Sequence, residues 1–217
     1  MKYGSENNSS NITTRQTFPV IIDNNKFIYF LLGAVILFVF IARLHLLSIP
    51  LERDEGEYAY MGRLILNGHP PYTLAYNMKL PGVYYMYALI MAVFGQSVAG
   101  IHLGLAFVSI ISMLLVFLIS KQFVSKAGAV IASSIFGIMG TSFTLLGQAG
   151  HATHFVTLFA LFGIYTTLGI YSKNKRSSVN FLLVGIFYSL SFICKQSGLF
   201  FLLFGITLVV IKGYSIE

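Results

Sequence analysis

Between Leu80 and Ser120 the chain carries no Asp, Glu, Lys or Arg, and between Ala127 and Ser172 it again carries none. Residues 27–42, 177–194 and 196–211 form further uncharged runs. A bilayer-spanning helix needs about 20 mostly apolar residues, so each of the two longest runs holds more than one element. Composition agrees. Of 217 residues, 56% are hydrophobic and only 10% charged, with mean hydropathy +0.79, which marks a membrane protein. The net charge of +7 does not point to nucleic acid, because most basic residues flank apolar runs, as topology signals do. The single cysteine, Cys194, excludes an intrachain disulfide.

Residues 1–26 read as a polar cytoplasmic tail without a signal-peptide cleavage site, and residues 27–217 as the transmembrane module. Asn8 and Asn11 match the glycosylation sequon, which chance supplies readily in an Asn- and Ser-rich tail. Lys2, Arg15 and Lys26 precede a first span at about 27–47 and place its start in the cytoplasm. Residues 48–97 then form an extracytoplasmic loop. Within it, "VYYMYALIMAVFG" (83–95) is short for a span, and Tyr84, Tyr85 and Tyr87 suit the headgroup level, so it is expected to lie along the interface. Five further spans follow near 98–119, 127–146, 153–171, 179–194 and 198–212. "KQFVSK" and "SKNKRSS" then fall inside and "GQAGHAT" outside. Among the loops between these later spans, Lys195 alone breaks the charge rule. The expected fold is an all-α integral membrane protein of about six transmembrane helices.

The loop concentrates acid. Of seven Asp and Glu in the chain, Glu52, Asp54, Glu55 and Glu57 fall within six positions. A helix is predicted from about Arg53, ended by Gly68 and barred from continuing by "HPPY". On it Asp54, Tyr58, Met61 and Ile65 share one face. Acids in a first turn complement the helix dipole, and Asp54 with Glu57 has capping-box spacing. Capping accounts for one or two carboxylates but less well for four packed together, so function and capping both stand open on these residues alone.

"RDEGEYAYMGRLILNGHPPY" followed by "NMKLPGVYYMYALIMAVFG" resembles the first extracytoplasmic loop of the polyprenyl-phosphate-sugar-dependent membrane glycosyltransferases of GT-C type, which include protein O-mannosyltransferases and aminoarabinose transferases. The shared series is an Asp-Glu pair after the first span, a juxtamembrane helix, a Pro-Tyr turn, a Lys-x-Pro and an aromatic-rich helix. It covers residues ~50–95, and the later spans match only as generic apolar helices. The resemblance implies sugar transfer with inversion from a polyprenyl-phosphate carrier to a hydroxyl of a protein, lipid or glycan acceptor. It implies Asp54 as general base, Glu55 orienting the acceptor or Asp54, and Lys79 at the donor phosphate, where an ammonium stabilises the growing anion. Arg63 is expected to supplement the phosphate site, with Glu57, Tyr58, His151 and His154 lining the site. Met78 and Leu80 flank Lys79 where the aminoarabinose branch has an acid and a proline, and Glu57 stands near a basic position of that branch, so contacts depending on those side chains do not carry over.

His151 and His154, three apart, could ligate a metal with Asp54 or Glu55. No spacing links the other histidines to them, and no obligatory metal or other cofactor is expected. Nor does the chain hold a Walker loop or dinucleotide fingerprint. The expected partners are the lipid-linked donor, the acceptor and membrane lipids, without nucleic acid. Resembling enzymes continue through more spans, so the chain reads as an N-terminal module truncated at its C-terminus. The competing reading is a non-catalytic membrane fragment or transporter-like bundle; the near absence of mid-span charge argues against transport. A lipid-phosphate hydrolase would want more Arg and His around the phosphate.

Overall fold

The computed structural model describes residues 25–144, 147–172 and 177–214. Residues 1–24 of the expected tail, with Asn8 and Asn11, and the Lys- and Arg-rich segment 173–176 lie outside them. Eight helices and no strand occur among the described residues: α1 Asn25–His45, α2 Arg53–Leu66, α3 Gly82–Phe94, α4 Val98–Ser120, α5 Lys126–Met139, α6 Ala152–Ser172, α7 Ser178–Cys194 and α8 Gly198–Tyr214. The chain is an all-α integral membrane protein. By length and composition, α1, α4 and α6 can each cross a membrane. The apolar helices α5, α7 and α8 are shorter than the ~20 residues a straight crossing needs.

The expected span at 127–146 is shorter than its uncharged run suggests. α5 stops at Met139, and the amides of Gly140 and Thr141 close the last turn on Phe136 and Ile138. Where the chain leaves α5, the Arg43 guanidinium of α1 donates to Gly140 O at 2.8 Å and satisfies that carbonyl. α3, with 13 residues, is too short to span, as its sequence indicates.

α2 begins and ends where its sequence signals place it. Gly68 adopts φ +85°, a conformation a side chain disfavours, and its amide bonds to Ile65 O at 3.0 Å. The N-terminal cap differs from the expected one. Glu52 is the N-cap residue, its carboxylate accepting from the Asp54 amide at 2.8 Å while its own amide donates to Glu55 at 2.9 Å. The capping box is therefore Glu52 with Glu55, and Asp54 and Glu57 are left for other contacts.

α2 lies against α3, and α3 in turn packs on α4, α6 and α7. Tyr58 and Met61 of α2 pack with Val83, Tyr84, Tyr87 and Met91 of α3, Leu105 of α4 and Phe155 of α6 in the main core. Tyr58 meets Tyr87 edge to face at 5.4 Å, and Tyr87 meets Phe155 likewise at 5.9 Å. Two distant contacts fix the bundle's ends. Lys126 Nζ bonds to Asn25 Oδ1 at 2.6 Å, joining the starts of α1 and α5, and Arg43 joins their far ends. The acidic loop, residues 147–151 and Lys195 all gather at the Arg43 end.

Candidate active site

The first turn of α2 and the loop before α3 face each other across one ammonium. Lys79 Nζ lies 3.1 Å from Asp54 Oδ1 and 2.8 Å from Glu57 Oε2, and 4.6 Å above the Tyr58 ring. The helix period makes this possible, since Asp54, Glu57 and Tyr58 occupy one side of α2. The loop supplies the rest. Tyr72, at φ 72°, donates its hydroxyl to Lys79 O at 2.6 Å and pins the Lys79 backbone. Tyr84 at the start of α3 donates to the other Glu57 oxygen at 3.1 Å. Arg53 lies 3.6 Å from Asp54 Oδ1, and His151 Nδ1 lies 4.0 Å from Asp54 Oδ2.

Electrostatics follow from this crowding. Burial pushes the Asp54 carboxyl up, but the hydrogen bond and charge of Lys79, aided by Arg53 and His151, outweigh it and hold the group below its ordinary 3.8. Burial pulls the Lys79 ammonium down, yet its bonds to Glu57 and Asp54 outweigh that and hold it above its ordinary range. The Tyr58 phenol is raised, first by burial, with Lys79 pulling the other way. A small cavity of about 90 Å³ opens beside the pair, lined by Asp54, Tyr58, Lys79, Val83, Cys194 and Lys195 among others.

Glu55 points the other way. Its side chain is 2% exposed, and Oε1 accepts from the Gly150 amide at 2.6 Å and lies 3.4 Å from His102 Nε2. Oε2 takes the Glu52 amide. Burial raises this carboxyl, but the bonds from His102, Glu52 and Gly150 more than offset that and hold it low. Tyr87 completes the junction by donating to Gly150 O at 2.7 Å. A Cβ at position 150 would press on the Tyr87 hydroxyl and lie 2.5 Å from Leu105 Cδ1 and 3.0 Å from Glu55 Oε1, so any side chain there must displace these buried groups.

Of the expected site residues, Asp54, Glu57, Tyr58 and Lys79 come together, with His151 at their edge. Glu55 is a buried clasp behind them. His154 lines a separate, larger cavity with Arg43. Arg63 is exposed, and nine residues along α2 it stands about half a turn round from Asp54; no ion pair involves it among the described residues. Glu52, Asp54 and His151 offer ligand atoms within 4.8 Å of one another, a set that would hold a divalent cation only in competition with Lys79 for Asp54.

Three contributors were not legible as site residues. Tyr84 reads only as an interfacial aromatic. Lys195 reads only as the basic residue that breaks the charge rule, and that exception was its signal. Arg43 lies inside the bounds of the first span, where an ionisable side chain is itself a functional mark.

A family model described as dolichyl-phosphate-mannose-protein mannosyltransferase matches residues 69–215, about two thirds of the chain. The chain belongs to this mannosyltransferase family. It is thus of the polyprenyl-phosphate-sugar glycosyltransferase type that the loop motifs resemble. The matched region includes Lys79, Tyr84, His151 and Lys195 and begins after α2, so Asp54 and Glu57 lie before it. No curated protein and no solved structure matches the chain.

Proposed function

We propose that this chain moves a sugar of mannose type from a polyprenyl phosphate to a hydroxyl of a protein, lipid or glycan acceptor, with inversion, on the extracytoplasmic side of a membrane it crosses several times. The observation that carries this reading is the Asp54–Lys79 pair, 3.1 Å apart at the mouth of a cavity between α2, α3 and the α7–α8 turn. The acceptor oxygen attacks the anomeric carbon and gives its proton to Asp54. The bond from that carbon to the phosphate oxygen breaks, and polyprenyl phosphate leaves with the electron pair.

Charge counting refines the donor site. Asp54, Glu57 and Lys79 together carry one net negative charge, so Lys79 alone does not offer a phosphate a cationic surface. Lys195 lines the same cavity and Arg53 flanks Asp54, and with both included the balance turns positive. Lys195 takes the supplementary role that the sequence suggests for Arg63. A phosphate that draws Lys79 toward itself also removes the cation that depresses Asp54, so donor binding strengthens the base. Glu57 and Tyr58 position Lys79, Glu55 positions α2, and His151 faces the free Asp54 oxygen.

The test is transfer from labelled polyprenyl-phosphate sugars in membranes, comparing wild type with Asp54→Asn. The amide cannot accept the proton, and transfer is expected to fall by roughly 10²–10⁴-fold with the protein still folded. Unchanged transfer in Asp54→Asn removes the base assignment.

A further inference from the structure

A second cavity, of about 310 Å³, lies between α1, α4, α5 and α6, and it is built around a buried guanidinium. Arg43 is 4% exposed. One of its nitrogens, Nη2, donates to Gly140 O at 2.8 Å and to Gly147 O at 2.9 Å. Its Nε is buried and has no hydrogen-bond partner among the described residues. No carboxylate pairs with it there either; the oxygens of Glu55, a buried acid near this end of the bundle, are engaged by Gly150, Glu52 and His102. Carbonyl oxygens satisfy donors but do not neutralise a full charge, and an uncompensated buried cation is costly.

The remaining lining suits an anion. Thr153, His154 and Thr157 of α6 bring hydroxyl and imidazole groups to the cavity, whereas the Ser112 hydroxyl of α4 is already donated to Val108 O at 2.8 Å. His151 also lines it, and its Nε2 is a second buried atom without a partner among the described residues, while its Nδ1 faces Asp54. Arg43 and His151, from different elements, therefore line one space, and each carries a buried nitrogen without a partner among the described residues. A guanidinium matches the geometry of phosphate-type oxyanions, and the volume falls at the lower end of that of small-ligand pockets.

We propose that this cavity is an anion site, in which Arg43 and His151 hold a phosphate-type oxyanion, separate from the Asp54–Lys79 pair. The site requires only a buried guanidinium and open space beside it, so it does not depend on the transfer reading. Phe136 and Met139 of α5 also line the cavity. A phosphate borne on an apolar chain fits that mixture, and a free phosphate shares the head-group chemistry.

The test uses the purified full chain in a neutral maltoside detergent, with melting followed as probe is added. The probes are decyl phosphate, inorganic phosphate and decanol. Wild type is expected to show a saturable rise in Tm with decyl phosphate and none with decanol. A matching rise with inorganic phosphate assigns the site to the free anion, and a rise with decyl phosphate alone assigns it to a lipid head group. Lys79→Gln, which removes the central cation of the Asp54–Lys79 site, should keep a saturable response, and the further variants are made in that background so that the donor site does not contribute. There Arg43→Gln is expected to abolish the response. Because Arg43 also holds two carbonyls and its loss risks misfolding, Thr157→Leu provides the decisive variant: it fills the cavity and leaves Arg43 intact, and it too should abolish the response that Lys79→Gln keeps. The site is refuted if neither phosphate probe gives a saturable rise, if decanol matches decyl phosphate, if Lys79→Gln removes the response, or if adding Thr157→Leu to Lys79→Gln leaves it unchanged.

Discussion

Lys79 is shared by two carboxylates, and the consequences of that sharing differ for its partners. Glu57 is also held by Tyr84, whereas among the described residues Asp54 Oδ2 faces only His151, at 4.0 Å. Asp54 is therefore the partner that an incoming hydroxyl can reach. Its depressed pKa keeps the carboxylate ionised well into acid, and a general base works only in that form. Removing the cation reverses the shift. In Lys79→Gln the Asp54 pKa should rise, so the acid limb of the residual activity should move to higher pH relative to wild type. A pH profile of transfer normalised to each protein's plateau checks this. A limb that does not move shows that Lys79 does not set the ionisation of the base, whatever it does for the phosphate.

At the scale of elements, α2 is held at its first turn by a single buried side chain. Glu55 receives the Gly150 amide from a loop 95 residues away, and Tyr87 of α3 grips the same glycine. Glu55→Ala leaves that amide and His102 without this acceptor, which costs about 1–3 kcal/mol, whereas Glu55→Gln retains a carbonyl oxygen and should cost less. Gly150→Ala should destabilise by a comparable ~1–3 kcal/mol through overpacking. Thermal melting of the three variants orders them, and an Ala variant as stable as wild type would deny the clasp. Because the folded Glu55 pKa lies below its ordinary 4.5, its contribution is complete above that value and is lost as pH falls through the folded pKa. Local signals made α2 and α3 readable in advance: Gly68 with the prolines after it, and the short aromatic run before Gly95. They could not show which acids cap. N-caps favour short side chains, which drew attention to Asp54, while a contact with Gly150 decides that Glu55 turns inward. The Arg43 contact at the end of α5 was hidden likewise, because it joins residues 97 apart in the chain.

The whole molecule has two chemically different ends, and among the described residues each gathers segments that the charge pattern assigns to one side. Lys126 meets Asn25 at one end. The acidic loop, Gly150, His151 and Lys195 meet at the other. Which end faces the cytoplasm is a separate matter, and the proposed reaction requires the Asp54 end to face outward. Two exposed positions report on it. Arg53 is 90% exposed beside Asp54, and Phe123, 70% exposed, sits in the loop between α4 and α5 with Lys121 and Lys126. Single cysteines at these positions, in a Cys194→Ala background, can be treated with a membrane-impermeant maleimide on intact cells. Arg53→Cys should label directly and Phe123→Cys only after permeabilisation. The reverse pattern would put the carboxylates in the cytosol and end the proposal for an outward-facing transferase. Labelling of both on intact cells would break the alternation itself, because Lys126 and Asp54 would then share a side although the helices between them carry the chain from one end of the bundle to the other.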